Sequence, residues 1–207
     1  MLRPMIFLPV AVPLLLLLLV VLLVVFVVLV ELRILSYAYR KIGIAPRYVF
    51  TILVLTLIGS HVNIPLYSVA TRHAARATIV AVNVGGALIP ALLSLYLFVR
   101  MPTRGRMLIG TAVVALVMNQ LARVVPGVGI VVPMLLPPLL AAAVALILAF
   151  RQAPPVAYVA GSMGTLIGAD LLNLGRIAEM GAPMLSIGGA GTFDGVFLTG
   201  ILAGLLA

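Results

Sequence analysis

"YVFTILVLTLIGSHVNIPLYSVA", residues 48–70, starts as an uncharged apolar run and then changes character. Leu, Ile and Val dominate residues 48–59; Gly59, His61, Asn63 and Pro65 then crowd the place where a regular span should continue. Glycine weakens a helix by its conformational freedom, and proline removes a donor and clashes with the preceding turn. Backbone groups freed by such a break must face protein or a wet cavity when the surroundings are apolar. The stretch therefore reads as a membrane helix that breaks or unwinds partway across, with His61 and Asn63 at the break. His61 fits metal ligation or a proton relay there, and equally a ring nitrogen bonded to a neighbouring carbonyl.

The rest of the chain explains why a membrane is the expected setting. Of 207 residues, 65% are hydrophobic and only 8% charged, and the mean hydropathy is +1.37. A soluble domain of this size needs a charged shell that this composition does not supply. The net charge of +9 is spread between apolar runs rather than gathered in a basic tract, which argues against nucleic acid as a partner. With no cysteine there are no disulfides or thiolate metal sites, and neither a metal motif nor a cofactor fingerprint is present. No G-x-S-x-G nucleophile stretch occurs either.

Read by hydropathy, the fold class is all-α: a polytopic helical membrane protein forming one integral membrane domain, 1–207, with about seven spans and the second interrupted. The segments are 5–30, the 48–70 stretch, 78–99, 107–125, 130–150, 155–175 and 184–207. The first is too long for the apolar core of a signal peptide and reads as a retained span. An outside N-terminus puts Arg33, Arg40, Lys41, Arg47, Arg100, Arg104, Arg106 and Arg151 on the cytoplasmic side, eight of the thirteen basic residues.

Only four residues are acidic: Glu31, Asp170, Glu179 and Asp194. Both aspartates fall within apolar runs, where a carboxylate is costly unless paired, hydrated or protonated. Asp170 should lie roughly 9 Å from the exit of the sixth segment at Arg176, at 1.5 Å per helical residue. Gly188, Gly189 and Gly191 make the start of the seventh easy to unwind, which brings Asp194 to a similar depth. Two facing carboxyls cannot both ionise cheaply; they share a proton, and one acts as base while the other acts as acid. The other reading is that each aspartate separately binds a backbone gap, an arginine or a water. Gly161, Gly164 and Gly168 on the sixth segment, and the pairs Gly191/Gly195 and Gly200/Gly204 on the seventh, have the spacing that lets these two segments pack closely. Asn173, one turn beyond Asp170, is placed to orient its carboxyl.

The tail "GSMGTLIGADLLNLGRIAEMGAPMLSIGGAGTFDGVFLTGILA" (161–203), with "GSHVNIPLYSV" (59–69) and "GGALIPALLSL" (85–95), resembles a family of uncharacterised prokaryotic membrane proteins known only as a domain of unknown function. A more distant likeness is to presenilin, signal peptide peptidase and prepilin peptidase. These carry one aspartate on one span and a second in a Gly-x-Gly-Asp motif on a neighbouring span. Asp170 resembles the first aspartate; Gly189, Gly191 and Asp194 resemble the second element; Pro90, Ala91 and Leu92 read as the Pro-Ala-Leu of presenilin-type members. The glycine element here is G-x-G-x-x-D, and Pro-Ala-Leu precedes the aspartates instead of following them.

The resemblance implies an intramembrane aspartyl protease in the prokaryotic cytoplasmic membrane, acting on a transmembrane helical peptide. Asp170 and Asp194 would form the catalytic dyad. Gly189, Gly191, Gly195, Pro90, Ala91, Leu92, Asn173, His61 and Asn63 would lie on the substrate side or support it. The alternative is a proton- or ion-coupled transporter or channel that uses the two aspartates, with His61, as its ion site.

Overall fold

The computed structural model describes residues 8–70, 77–125, 129–179, 183–189 and 195–207. The chain divides into two compact units, 1–37 and 38–207. The first unit is carried by α1 (Leu8–Lys41), a Leu- and Val-rich helix whose last turn belongs to the second unit. In the second unit α2 (Pro46–Gly59) begins with a proline in its first turn, where the missing donor costs nothing. There follow β1 (Asn63–Val69), β2 (Thr78–Asn83), a π-helical turn Val84–Leu88, α3 (Ile89–Arg100) and α4 (Arg104–Leu121). Next come β3 (Arg123–Val125), β4 (Gly129–Val131) and α5 (Leu136–Ala149). A 3-10 turn at Phe150–Gln152 leads into α6 (Ala153–Thr165), which continues as a π turn, Leu166–Asp170, and a 3-10 stretch, Leu171–Glu179. Last are β5 (Met184–Ile187) and α7 (Gly195–Leu206).

Helix α6 is the centre of the second unit. Ala153, Val156, Ala157, Tyr158 and Ala160 have no exposed surface, and α4, α5 and α7 all pack on this helix. Its small residues are what let three neighbours approach. A side chain at Gly164 would meet Val114 of α4 at 2.6 Å, and one at Gly168 would run into the carbonyl oxygen of Ala115. A Cβ at Gly161 would meet Ala141 of α5 at 3.2 Å and Ala203 of α7 at 3.3 Å. Gly200 of α7 returns the contact, lying against Tyr158 and Ser162. The glycine spacing read from sequence is thus a packing pattern, with one reassignment. Gly164 and Gly168 serve α4 rather than the seventh segment; Gly161 and Gly200 join α6 to α7.

The all-α expectation is corrected by a small sheet of order β1-β2-β5, with β1 antiparallel and β5 parallel to β2, and by a β3-β4 pair. The helix does end at Gly59 as expected, but the chain beyond it extends into a strand instead of resuming a helix. The reason is compositional. "NIPLYSV" and "TIVAVN" are rich in β-branched and aromatic residues, and short apolar runs of this kind carry no periodicity that separates a strand from a buried helix. Pro65 sits on edge strand β1, where a missing donor is tolerated, and the register shifts between Pro65 and Tyr67.

The same substitution of strand for helix shortens the other expected spans. The 78–99 segment is helical only from Val84 and the 130–150 segment only from Leu136, and the last segment opens with strand β5. A bilayer crossing takes about 20 residues. By length and composition, two helical runs among the described residues qualify, Leu16–Lys41 and Leu136–Arg176. The second is a hairpin rather than one straight helix, because it folds back at Phe150–Gln152 to bring Ala141 against Gly161. Seven spanning helices are therefore not what the described residues form.

The turns of the second unit segregate by charge. A side chain at Gly43 would meet Met101, Lys41 Nζ donates to Leu205 O (2.9 Å), and Gly204 lies against Ile42 and Pro154. The 38–47 corner, the α3–α4 turn, the α5–α6 turn and the end of α7 therefore share one end of the helical body. Arg40, Lys41, Arg47, Arg100, Arg104, Arg106 and Arg151 all stand in or beside these turns. Packing at α6 sets a clear stability contrast. Gly168→Ala should lower unfolding stability by about 1–3 kcal/mol through overpacking against Ala115. Gly105→Ala, which meets nothing within 4 Å, should leave it unchanged, as read by thermal unfolding of the purified protein.

Candidate functional site

A cluster of polar residues in the second unit lies where the sheet meets the helices. Asn63 opens β1, Asn83 closes β2 and Gly188 follows β5; with β5 parallel and β1 antiparallel to β2, all three fall at one end of the sheet. Asn83 is the hub. Its Nδ2 donates to Ser60 O (2.7 Å) and Asn63 Oδ1 (3.1 Å), while its Oδ1 accepts from Gly86 N–H (2.8 Å). One buried carboxamide thus ties the end of α2, strand β1 and the π turn before α3. Ser186 Oγ donates to the same Asn63 oxygen, which brings β5 into the network.

Asp170 ends the π turn beyond α6, and its Oδ2 accepts from the Gly188 N–H at 2.7 Å. The carboxyl supplies the acceptor that this N–H, at the end of β5, would otherwise lack. Gly188 has φ +77°, a conformation side-chain-bearing residues rarely adopt, and a Cβ there would meet the Gly86 carbonyl carbon at 2.6 Å. The tight reversal over the π turn therefore needs glycine on two counts. Hydrogen bonds to a charged acceptor contribute about 1.5–3 kcal/mol, so this link is a substantial local tie.

The other residues singled out from sequence disperse around this junction. Gly189 packs on it, since a side chain there would collide with Ser186 Oγ and meet Asn83 Cβ at 3.3 Å. Asp194 and Gly191 lie outside the described residues, in the connection between Gly189 and Gly195. Gly195 is exposed with nothing near it. Asn173 does not turn its amide to Asp170. It donates to Gly168 O (3.1 Å), Ala169 O (3.0 Å) and Asn119 Oδ1 (3.2 Å), so it caps the π turn and ties it to α4. His61 is exposed, with Nδ1 3.1 Å from Leu57 O and 3.2 Å from Ser60 Oγ, the neighbouring-carbonyl arrangement. Among the described residues no three His, Cys, Asp or Glu side chains converge as metal ligands.

Pro90 is buried in the first turn of α3, Leu92 is 57% exposed, and Ala91 between them lines an apolar groove of about 320 Å³. Leu66, Val82, Leu171 and Ile187 line the same groove, so it runs between the sheet and the helix end that carries Asp170. Of the Pro-Ala-Leu triplet, Ala91 is the member that faces this groove. Ser60 and Ser186 belong to the junction although sequence reasoning gave them no role, and Gly188, read from sequence as a point of easy unwinding, is its turn residue. A serine two positions before a Gly-Gly turn is the one local signal that points to Ser186.

Residues 55–206 match the model of the family described as "Protein of unknown function (DUF1614)", and the chain belongs to that family. No curated protein and no solved structure matches it. The matched region begins within α2 and contains the whole sheet, α3 to α7 and the junction, and excludes α1. The hub predicts a hierarchy of stability. Asn83→Ala strands Gly86 N–H and two acceptors and should cost about 2–3 kcal/mol. Asn63→Ala, at an exposed site, should cost less than half of that in the same denaturation series.

Proposed function

We propose that this chain is an integral membrane protein of the prokaryotic cytoplasmic membrane and acts as an intramembrane aspartyl protease. The observation that carries the reading is the bond from Gly188 N–H to Asp170. It fastens the aspartate at the end of α6 to the start of the connection that holds Asp194. The presenilin-like likeness of the sequence supplies the activity.

The physical setting favours hydrolysis. Strand β1 is an edge strand with exposed residues along most of its length, and an open sheet edge cannot lie in hydrocarbon. The sheet end of the body must then reach the wet headgroup region, and Asp170 is bonded to that end. Water is then at hand at the sheet end, to which the buried carboxyl is bonded. The basic turns gather at the end opposite Asp170, which by the positive-inside bias is cytoplasmic. Large apolar side chains cover the helical surface, with Ile147 at 84% and Phe150 at 78% exposure, as a lipid-facing body requires.

In the proposed reaction one aspartate of the pair is ionised and takes a proton from water. The hydroxyl oxygen bonds to the scissile carbonyl carbon, and the second aspartate gives its proton to the carbonyl oxygen. Transfer of a proton to the amide nitrogen then breaks the C–N bond and releases an acid and an amine. An unwound segment of a transmembrane peptide would enter by the apolar groove beside Ala91 and Leu171. The test is cleavage of a model transmembrane peptide by the full chain in proteoliposomes. Asp170→Asn and Asp194→Asn should each reduce turnover at least about a hundredfold, the scale of general acid–base catalysis. The amide oxygen introduced by Asp170→Asn should still accept from Gly188 N–H, so unfolding stability should fall by no more than about 1–2 kcal/mol. Wild-type turnover in both variants would sink the reading, and aspartate-dependent proton flux without cleavage would replace it with transport.

A further inference from the structure

We propose that the corner between α3 and α4 is a binding site for one anionic phospholipid, with its headgroup on Arg100 and Arg106 and acyl chain in the groove beside them. Two apolar grooves flank α3. One, of about 260 Å³, lies between α3, α4 and α6 and includes Phe98, Met107 and Thr111 in its lining. The other, of about 620 Å³, runs along the outer face of α3 past Leu92 and Val99 to Arg100. Leu95 lines both, so the two grooves adjoin on one helix. Each reaches the last turn of α3, beside the cationic turn.

Two of the cations at that turn lie against α3. Arg104 folds back on α3, with Nε donating to Phe98 O (3.0 Å) and Nη2 to Val99 O (2.7 Å). The Arg100 guanidinium stands 5.8 Å from the ring centre of Tyr96. Arg100, Arg104 and Arg106 are all exposed. The sequence has no acidic residue between positions 32 and 169, so none of α2 to α6 carries an aspartate or glutamate to neutralise this turn. A counter-charge from outside the chain fits it. A phosphate joined to acyl chains satisfies both features at once, because basic sites between helices at the cytoplasmic side select anionic headgroups. Free phosphate would leave the grooves unused, and a neutral lipid would leave the guanidiniums without a counter-charge.

The site rests on the membrane reading and is independent of catalysis. The full chain is expressed, recovered from the membrane fraction, exposed to equimolar phosphatidylglycerol and phosphatidylcholine, and examined by native mass spectrometry. Wild type should retain one phosphatidylglycerol in preference to phosphatidylcholine. The double variant Arg100→Gln/Arg106→Gln should weaken retention about thirtyfold, at the usual contribution of a basic residue near a headgroup. Arg151→Gln, at the same end but on the α5–α6 turn, should retain lipid as wild type does. Thr111→Phe should fill the groove between α3, α4 and α6 and weaken retention with every charge intact. Equal retention of the two lipids, equal loss with Arg151→Gln, or full retention by Thr111→Phe would overturn the site while leaving the membrane reading in place. Recovery of the chain in the soluble fraction would overturn the membrane reading itself.

Discussion

The close approach of backbones along α6 is the constraint on which the second unit depends. Gly161, Gly164 and Gly168 place α4, α5 and α7 against one helix at distances that a methyl group would disturb. Such contacts gain by dispersion and by dense packing, which work as well in lipid as in water. They also fix where α6 ends. The π turn at Leu166–Asp170 wedges Gly168 under Ala115, and Asn173 holds the following turn to Asn119. The position of Asp170 follows from this packing rather than from any partner of its own charge.

From that fixed point the polar junction can be understood as a solution to backbone hydrogen bonding. The end of α2, the start of β1, the end of β2 and the end of β5 all leave donors or acceptors without ladder partners. Asn83 and Asp170 supply partners to Ser60 O, Gly86 N–H and Gly188 N–H, while Asn63 and Ser186 complete the side-chain network around Asn83. A polar cluster of this kind is stable only when its members are satisfied. The junction thus has a structural role whether or not Asp170 also reacts. For the proposed chemistry this is an advantage, because a carboxyl held by a backbone N–H is oriented before substrate arrives.

Charge divides the body differently. One end carries the basic turns, with no aspartate or glutamate among the described residues there. The other carries the amides and hydroxyls of the junction, Asp170, and the more sparsely placed Arg123 and Arg176. Tyr48 and Tyr96 lie beneath guanidiniums at the basic end, with Arg47 4.7 Å from the Tyr48 ring centre. In the proposed bilayer these rings and cations lie at headgroup level, which anchors the body's depth. The sheet then marks the opposite boundary, since its open edge requires water or protein.

Composition alone determined that the chain carries long apolar helices, because Leu- and Val-rich runs such as residues 16–30 have no other stable form in apolar surroundings. The glycine spacing of the sixth segment likewise announced a tightly packed helix, and Gly59 marked a true helix end. What sequence could not reveal was the sheet. A strand such as 78–83 exists only because two partners pair with it, one of them about a hundred residues away, and local apolar content is the same for either structure. Nor could the sequence say which helix each glycine faces, so Gly168 went to the wrong neighbour. Asp170 was legible as an unusual carboxyl in an apolar run; its bond to Gly188 depended on β5 lying parallel to β2, a long-range pairing. Side-chain chemistry is local and can be read along the chain, whereas the partner that completes each hydrogen bond is chosen only when distant segments meet.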